Sequence, residues 1–417
     1  MNKSTLNSSG LIRTSLVLTI CLSISQGSGL LARLLFRTIL DPNAYGILAY
    51  FLGLFTFMMT FAHGYLQFPV VAYISERPDD NEFYSYSRSN ILTISLLASI
   101  ASASILFLWG WLETGYWTLS LLFSLILIVY ATSINLHAFP RGRDDLKSTG
   151  LSAFLTGIAR MIFLLMFAVG FLLTPNLLDA TVVYIFPFLI WILVYVVYDG
   201  VPRIKIPSKD FLSPYFKDSI LSLLAGVSTQ VPIVFSLITL ESLFGFTIVG
   251  NFDIALIGYS VFSALVTGAA YVTLSKARSL PSFSKFAKAI LVKLGPWMLV
   301  VWTSLSILSI VFAADAINIL IAVGLPPSAY WPGIILVIFA VPSRIFIEIF
   351  VSYFQGRSKF KPIGVIPISI AILSLIPLFM IIEVFSIMGS AIGLGVINLI
   401  TLVGLCIYGL KRPPPQS

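Results

Sequence analysis

Residues 117–139 read WTLSLLFSLILIVYATSINLHAF, a run without one Asp, Glu, Lys or Arg. As a helix rising about 1.5 Å per residue it matches the ~30 Å hydrocarbon core of a bilayer. As a lone strand it would leave its backbone unsatisfied in lipid. Glu113 precedes it, and Arg141, Arg143 and Lys147 follow it. The same unit, an apolar run between a tip poor in basic residues and a basic tip, recurs along the chain. Spans are expected near 13–40, 45–74, 91–112, 117–139, 151–173 and 180–198, then near 217–240, 249–274, 290–318, 330–354, 363–383 and 387–410. The reading is an all-α polytopic membrane protein with about 12 transmembrane helices.

Composition agrees. The 417 residues are 58% hydrophobic and only 10% charged, with a mean hydropathy of +1.00. A soluble domain of this size needs a charged shell, so soluble nuclear, secreted and cytosolic roles are excluded. Cys21 and Cys406 both sit in apolar stretches, and His63 and His137 are the only histidines. Neither a disulfide framework nor a metal site can be built from them, and no cofactor is expected. Without a small-residue cleavage site before Arg33 and Arg37, the first stretch reads as a retained span.

Loop charge fixes the expected orientation, because cytoplasmic loops keep Lys and Arg. Alternate loops, from Lys3 and Arg13 through Arg77, Arg203, Lys276 and Arg357 to Lys411, hold 21 of the 25 basic residues. The other four, Arg33, Arg37, Arg160 and Arg344, fall within spans. Both termini are therefore expected in the cytoplasm of a cell with this protein in its plasma membrane. The net charge of +8 reads as topology and contact with anionic membrane lipids, with no nucleic-acid partner. Between Ser275 and Ile290, basic residues alternate with Leu280, Phe283 and Phe286. That segment is either a surface-lying amphipathic helix or a solvated basic loop.

The second half slides onto the first. An offset of 204 pairs Gln26 with Gln230, Gly46 with Gly250, Thr56 with Ser260, His63 with Thr267 and Gln67 with Tyr271. From the third external loop an offset of 214 takes over, pairing Tyr116 and Trp117 with Tyr330 and Trp331, and Gly142 and Arg143 with Gly356 and Arg357. The change implies a ten-residue insertion before Tyr330. An even number of spans per half gives two six-helix lobes, 1–205 and 206–417, related by a pseudo-two-fold axis along the membrane normal.

Arg37 to Gly46, RTILDPNAYG, followed by ILAYFLGLF, resembles the first external turn of polysaccharide flippases, where an Arg precedes a Gly-Pro-acid-acid-Tyr-Gly tip. Asp41, Pro42 and Asn43 stand where Gly-Pro-Glu is usual, and Arg37 lies one residue further from Gly46. Gly250 to Ser275, Phe354 to Arg357 and Met388 to Gly393 are similar to the same family, the polysaccharide transporter branch of the MATE-like MOP flippase superfamily. The resemblance implies a MATE-like fold around a central cavity, and a flippase carrying lipid-linked oligosaccharide outward for surface polysaccharide or glycoprotein glycan assembly, alongside glycan-assembly enzymes.

Such a carrier needs cations for a prenyl phosphate or diphosphate and polar groups for sugars. Thr19, Gln26, Arg33 and Arg37 form one stripe of span one. An Arg at a helix centre costs ~2.5–3.5 kcal/mol on insertion scales, so Arg33 is expected in a wet cavity. Arg37 either joins it or snorkels to the interface. Arg160 lacks a carboxylate three or four residues away, which leaves it open to phosphate, whereas Arg344 has Glu348 one turn on. Thr56, Thr60, His63 and Gln67 share a face of span two. Ser260, Ser263, Thr267 and Tyr271 echo them in span eight, and Gln230 echoes Gln26. These residues either line a cavity or bond neighbouring helices. Glu348 and Asp253 are the carboxylates that H+ or Na+ coupling would use. A cation-coupled multidrug exporter would instead want a more acidic cavity. A membrane-embedded glycan polymerase or ligase would want a catalytic external loop, and every external tip here is short. The expectation is a transporter, not an enzyme.

Overall fold

The computed structural model describes residues 8–63, 66–143, 145–170, 174–206, 209–276, 282–357 and 359–411. Every regular element among them is helical. The first half contains α1 (Ser8–Ile39), α2 (Pro42–Ala62), α3 (Gln67–Glu76), α4 (Asn81–Thr114), α5 (Trp117–Gly142), α6 (Lys147–Val169), α7 (Leu177–Ile185) and α8 (Leu189–Asp199). The second contains α9 (Lys209–Phe244), α10 (Phe246–Lys276), α11 (Phe283–Val311), α12 (Ala313–Ala322), α13 (Tyr330–Ile335), α14 (Val341–Gly356) and α15 (Phe360–Lys411).

Among the described residues nine helical segments are long and apolar enough to cross a membrane, and α11 with α12, bent by 70°, makes a tenth. α15 is two helices in one. At Ser386 its backbone leaves the helical region with φ 51° and ψ −127°. A Cβ on Gly389 would then stand 2.3 Å from the Ile381 carbonyl oxygen, and Gly393 and Gly404 meet Leu378 and Ile366 in the same antiparallel register. The 52 residues therefore form a hairpin, as the separate runs 363–383 and 387–410 require. With the 31 residues of α10, the expected count of about 12 is accounted for.

Local chemistry sets the turns. Asp41 caps α2, accepting from the Asn43 and Ala44 amides at 2.9 and 3.4 Å, and Pro42 supplies the first helical φ. The repeat-matched position is Gly245, whose φ of +80° lets one residue join α9 to α10. α12 occupies the place where the repeat offset changes, so the implied insertion is a bent helix. From Phe283 onward the basic segment is a helix and not a loop: Phe283 and Phe286 pack on Phe350, Tyr353 and Phe354 at the start of α11, while Lys285 and Lys288 stay exposed. Residues 277–281 of it lie outside the described residues.

The halves meet along α2 and α10, flanked by α1 on α10 and α2 on α9. A Cβ on Gly46 would fall 1.8 Å from the Phe246 carbonyl oxygen, and one on Gly250 would touch Gly46 itself at 3.3 Å. Repeat-matched residues that touch each other lie on the axis relating the repeats. Toward the opposite ends of these helices, Tyr73 of α3 donates to Asp218 of α9 at 2.8 Å. Large apolar side chains such as Leu112, Leu165, Val197, Leu373 and Ile376 remain exposed, a surface that suits lipid.

Candidate substrate cavities

Each half holds a cavity. The first, about 290 Å³, is lined by Ser25, Gln26, Arg33, Tyr130, Ile134, Arg141, Arg160, Tyr184, Phe188 and Trp191, with Ser260 reaching in from α10. The second, about 240 Å³, is lined by Gly226, Thr229, Gln230, Arg344, Glu348, Ser352 and Gln355, with Thr60, His63 and Gln67 reaching in from the first half. The repeat offsets map one lining onto the other. Leu22, Ser25 and Gln26 match Gly226, Thr229 and Gln230, and Tyr130, Ile134 and Arg141 match Arg344, Glu348 and Gln355. The cavities are thus two versions of one design, each borrowing polar groups from the partner half.

Their charges differ. In the first, Arg160 is 2% exposed. Its Nη1 donates to the Ser25 carbonyl at 2.8 Å and to Ser28 Oγ at 3.3 Å, and its Nε donates to the Tyr184 carbonyl at 3.3 Å. The guanidinium lies over the Tyr184 and Phe188 rings at 4.8 and 4.9 Å. These are dipoles and π faces; among the described residues no carboxylate touches it, and its buried Nη2 has no hydrogen-bond partner. Arg33 sits 5.6 Å over the same Tyr184 ring. Its Nη1 meets Asp253 Oδ1 at 3.1 Å, and Tyr45 donates to the other carboxylate oxygen at 2.6 Å. Arg141 donates to the His137 and Ile134 carbonyls at 3.0 and 3.3 Å and to Gln67 Oε1 at 2.9 Å, so it joins one cavity wall to the other. His63 Nδ1 lies 3.3 Å from the other end of Gln67.

In the second cavity Arg344 and Glu348 form an ion pair across one helical turn. Just before them the backbone widens into a π-turn, Leu336–Ala340. Pro342 cannot donate to the preceding turn, which frees a carbonyl there. Trp302 Nε1 donates to the Val337 carbonyl at 2.7 Å, and Ser343 Oγ to that of Ala340 at 3.1 Å. Removing one member of the pair strands the other charge. Because Glu348 is partly exposed in its cavity, Arg344→Ala should lower stability by about 1–3 kcal/mol, whereas the double change to Met at 344 and 348 should restore most of it. Thermal unfolding of the purified variants in detergent checks this.

No protein-family model matches the sequence, and no curated protein does. Solved structures do. An inward-facing multidrug resistance MATE family transporter of the MOP superfamily aligns with a TM-score of 0.66 at 15% identity, over 95% of this chain and 98% of that one. A MATE structure in a straight conformation gives 0.65 at 15% identity, over 96% and 95%. A MOP superfamily transporter from Pyrococcus furiosus, described as having a binding pocket of reverse polarity that suggests a different function, gives 0.65 at 15% identity, over 95% of each chain. The fold is MATE-like.

Within this MATE-like fold the structure sorts the sequence candidates. Gln26, Arg33, Arg160 and Ser260 share the first cavity; Thr60, His63, Gln67, Gln230, Arg344 and Glu348 share the second. Among the described residues, the span-two stripe thus reaches the second cavity and Ser260 of span eight reaches the first. Thr56 is exposed and donates to the Leu52 carbonyl at 2.8 Å. Arg37 lines neither cavity. Asp253 and Glu348 each hold an arginine, and the side chains of Ser263, Thr267 and Tyr271 lie outside the described set. Sequence reading missed Arg141, assigning it to a basic loop; in the structure it is 5% exposed. The polar residues Asn135 and His137 just upstream of it were the signal, since they continue a hydrophilic face into the span. Among the described residues no three His, Cys, Asp or Glu side chains gather as metal ligands would.

Proposed function

We propose that the chain is a flippase that moves an anionic, prenyl-phosphate- or prenyl-diphosphate-linked oligosaccharide to the outer leaflet by rocking its two halves. The observation that carries this is Arg160, a buried guanidinium held only by carbonyls, a hydroxyl and aromatic rings in a cavity that also contains Arg33 and Arg141. A fixed cation without a carboxylate suits a phosphate oxyanion and repels a cationic drug. The aromatic walls Tyr130, Tyr184 and Trp191 suit the apolar faces of sugars. The Pyrococcus transporter of reverse pocket polarity is a precedent for a MATE-like fold with altered pocket charge. Arg37 serves as an outer guide for the anion, Arg344 with Glu348 and the amides of the second cavity meet the glycan, and H+ or Na+ coupling falls to Asp253 or Glu348. Glycan-assembly enzymes are the partners in this reading, and the chain itself is not an enzyme.

Multidrug export is the second reading, favoured by the fold of its neighbours and by Glu348 in the second cavity. Deleting the gene and quantifying surface glycan together with the inward-facing lipid-linked precursor separates the two. Loss of surface glycan with accumulation of full-length precursor supports the flippase. Unchanged glycan overturns it and moves drug export forward, and unpolymerised glycan outside points to an enzyme. The proposed plasma-membrane topology makes a companion prediction. In a cysteine-free background, Asp315→Cys should react with an impermeant thiol reagent on intact cells, and Lys359→Cys only after permeabilisation.

A further inference from the structure

Arg33 belongs to α1 and Asp253 to α10, so their ion pair ties one half of the molecule to the other. It sits where the halves come closest: Asp253 is one turn from Gly250, and Tyr45, which holds the second carboxylate oxygen, is next to Gly46. Asp253 is 5% exposed, and Arg33 and Tyr45 are the groups its carboxylate oxygens meet. Arg33, by contrast, also lines the first cavity, and its Nε has no hydrogen-bond partner among the described residues. Tyr184 lies under both guanidinium groups, at 5.6 Å from Arg33 and 4.8 Å from Arg160. Both arginines line the same cavity, so an anion bound there faces both guanidinium groups.

We infer that Asp253 is the built-in competitor of the anionic ligand for Arg33, so that a phosphate bound between Arg33 and Arg160 releases the ion pair that holds the two halves together. The inference rests on the anionic-substrate reading above. Arg33 carries one positive charge, so a phosphate beside it shares that charge with Asp253 and repels the carboxylate, and the ion pair weakens. Once phosphate takes Arg33, Asp253 is a buried carboxylate supported by Tyr45 alone, a state relieved by moving α10 away from α1 and admitting water. Ligand occupancy is thereby converted into separation of the halves at the Gly46–Gly250 face. Because linkage is reciprocal, whatever weakens the pair must strengthen anion binding. Removing an acid from beside a bound anion does the same, so a second readout, the separation of the halves, is needed to establish the mechanical link.

The test uses the full-length protein in nanodiscs, with Cys21 and Cys406 changed to Ser and spin labels on Glu113→Cys and Asp315→Cys, exposed sites in opposite halves of the sequence. Farnesyl diphosphate is the probe, and inorganic diphosphate distinguishes a lipid-borne phosphate from a free one. The expected results are a longer label distance when the probe binds wild type, and the same longer distance in Asp253→Asn without probe. Asp253→Asn should also bind the probe about 5-fold tighter or more. Tyr45→Phe, which leaves the pair but frees one carboxylate oxygen, should shift both readouts the same way by less, and it carries the test should Asp253→Asn fail to fold. An unchanged distance in both variants overturns the link between the pair and the halves. Unchanged or weaker probe binding overturns the competition. If wild type binds neither diphosphate, the anionic-substrate reading falls, while the variant distances still decide whether the pair holds the halves together.

Discussion

Arg160→Gln should bind prenyl diphosphate about 10- to 150-fold more weakly than wild type, the equivalent of ~1.5–3 kcal/mol of charge-assisted hydrogen bonding. Transport of lipid-linked oligosaccharide in reconstituted vesicles should fall with it. Stability should move differently. Arg160 is buried without a carboxylate among the described residues, and its Nη2 finds no partner, so the folded protein bears the desolvation of a charge that nothing inside it neutralises. A glutamine keeps a donor for the Ser25 carbonyl without that cost, so the melting temperature should hold or rise. Parallel loss of stability and binding would return Arg160 to a packing role. Arg160→Lys, which keeps the charge but loses the planar fork, should recover only part of the affinity.

Gly46→Ile should hold the halves apart. Any side chain at this position begins with a Cβ 1.8 Å from the Phe246 carbonyl oxygen, and that obstacle is backbone, which no rotamer change can clear. Overpacking alone costs about 1–3 kcal/mol, or roughly a 5- to 150-fold loss in the population with α2 and α10 in contact. Transport should fall to background while each half still inserts, because the contact lies between the halves. Gly27→Ala is the control: its Cβ would meet nothing within 4 Å, and it should transport normally. Initial rates of glycan export measured side by side decide the matter, and normal export by Gly46→Ile would mean that this contact is not part of the cycle.

The spans were legible because the length of an apolar run is a local property, set by bilayer thickness whatever packs against it. The repeat was legible because glycines at close approaches, such as Gly46 and Gly250, are specified by geometry that duplication preserves. Helical spacing grouped Thr56, Thr60, His63 and Gln67; the structure brings the last three to the second cavity, although α2 ends at Ala62 and Gln67 opens α3, and leaves Thr56 out. Spacing could not say that this face turns to the second cavity while Ser260 turns to the first, since periodicity names a face and not its neighbour. The pairing of Arg33 with Asp253 joins residues 220 positions apart, and no local pattern encodes it. Arg141 was misplaced for a related reason. Near the end of a span a basic side chain reads as solvated, and only the positions of Gln67 and the His137 carbonyl show that it turns inward. The π-turn before Arg344 leaves only Pro342 as its trace in the sequence, and the effect of that proline depends on whether the Trp302 Nε1–H stands ready to donate to the freed Val337 carbonyl.

The reversal at Ser386 bears on how the chain is made. Between the arms of α15 there is almost no polar linker, and Gly389 lies directly on the backbone of Ile381. The insertion machinery therefore receives a 52-residue, largely apolar stretch in which Glu383 is the one charge near the turn, with no long hydrophilic loop to pull across ahead of the final arm. Under those conditions the two arms should enter the bilayer as one folded unit, the first unable to settle across the membrane until the second has been synthesised. A ribosome stalled between the two arms would then leave the first arm unintegrated, whereas stalls after the other spans would leave stable partial topologies.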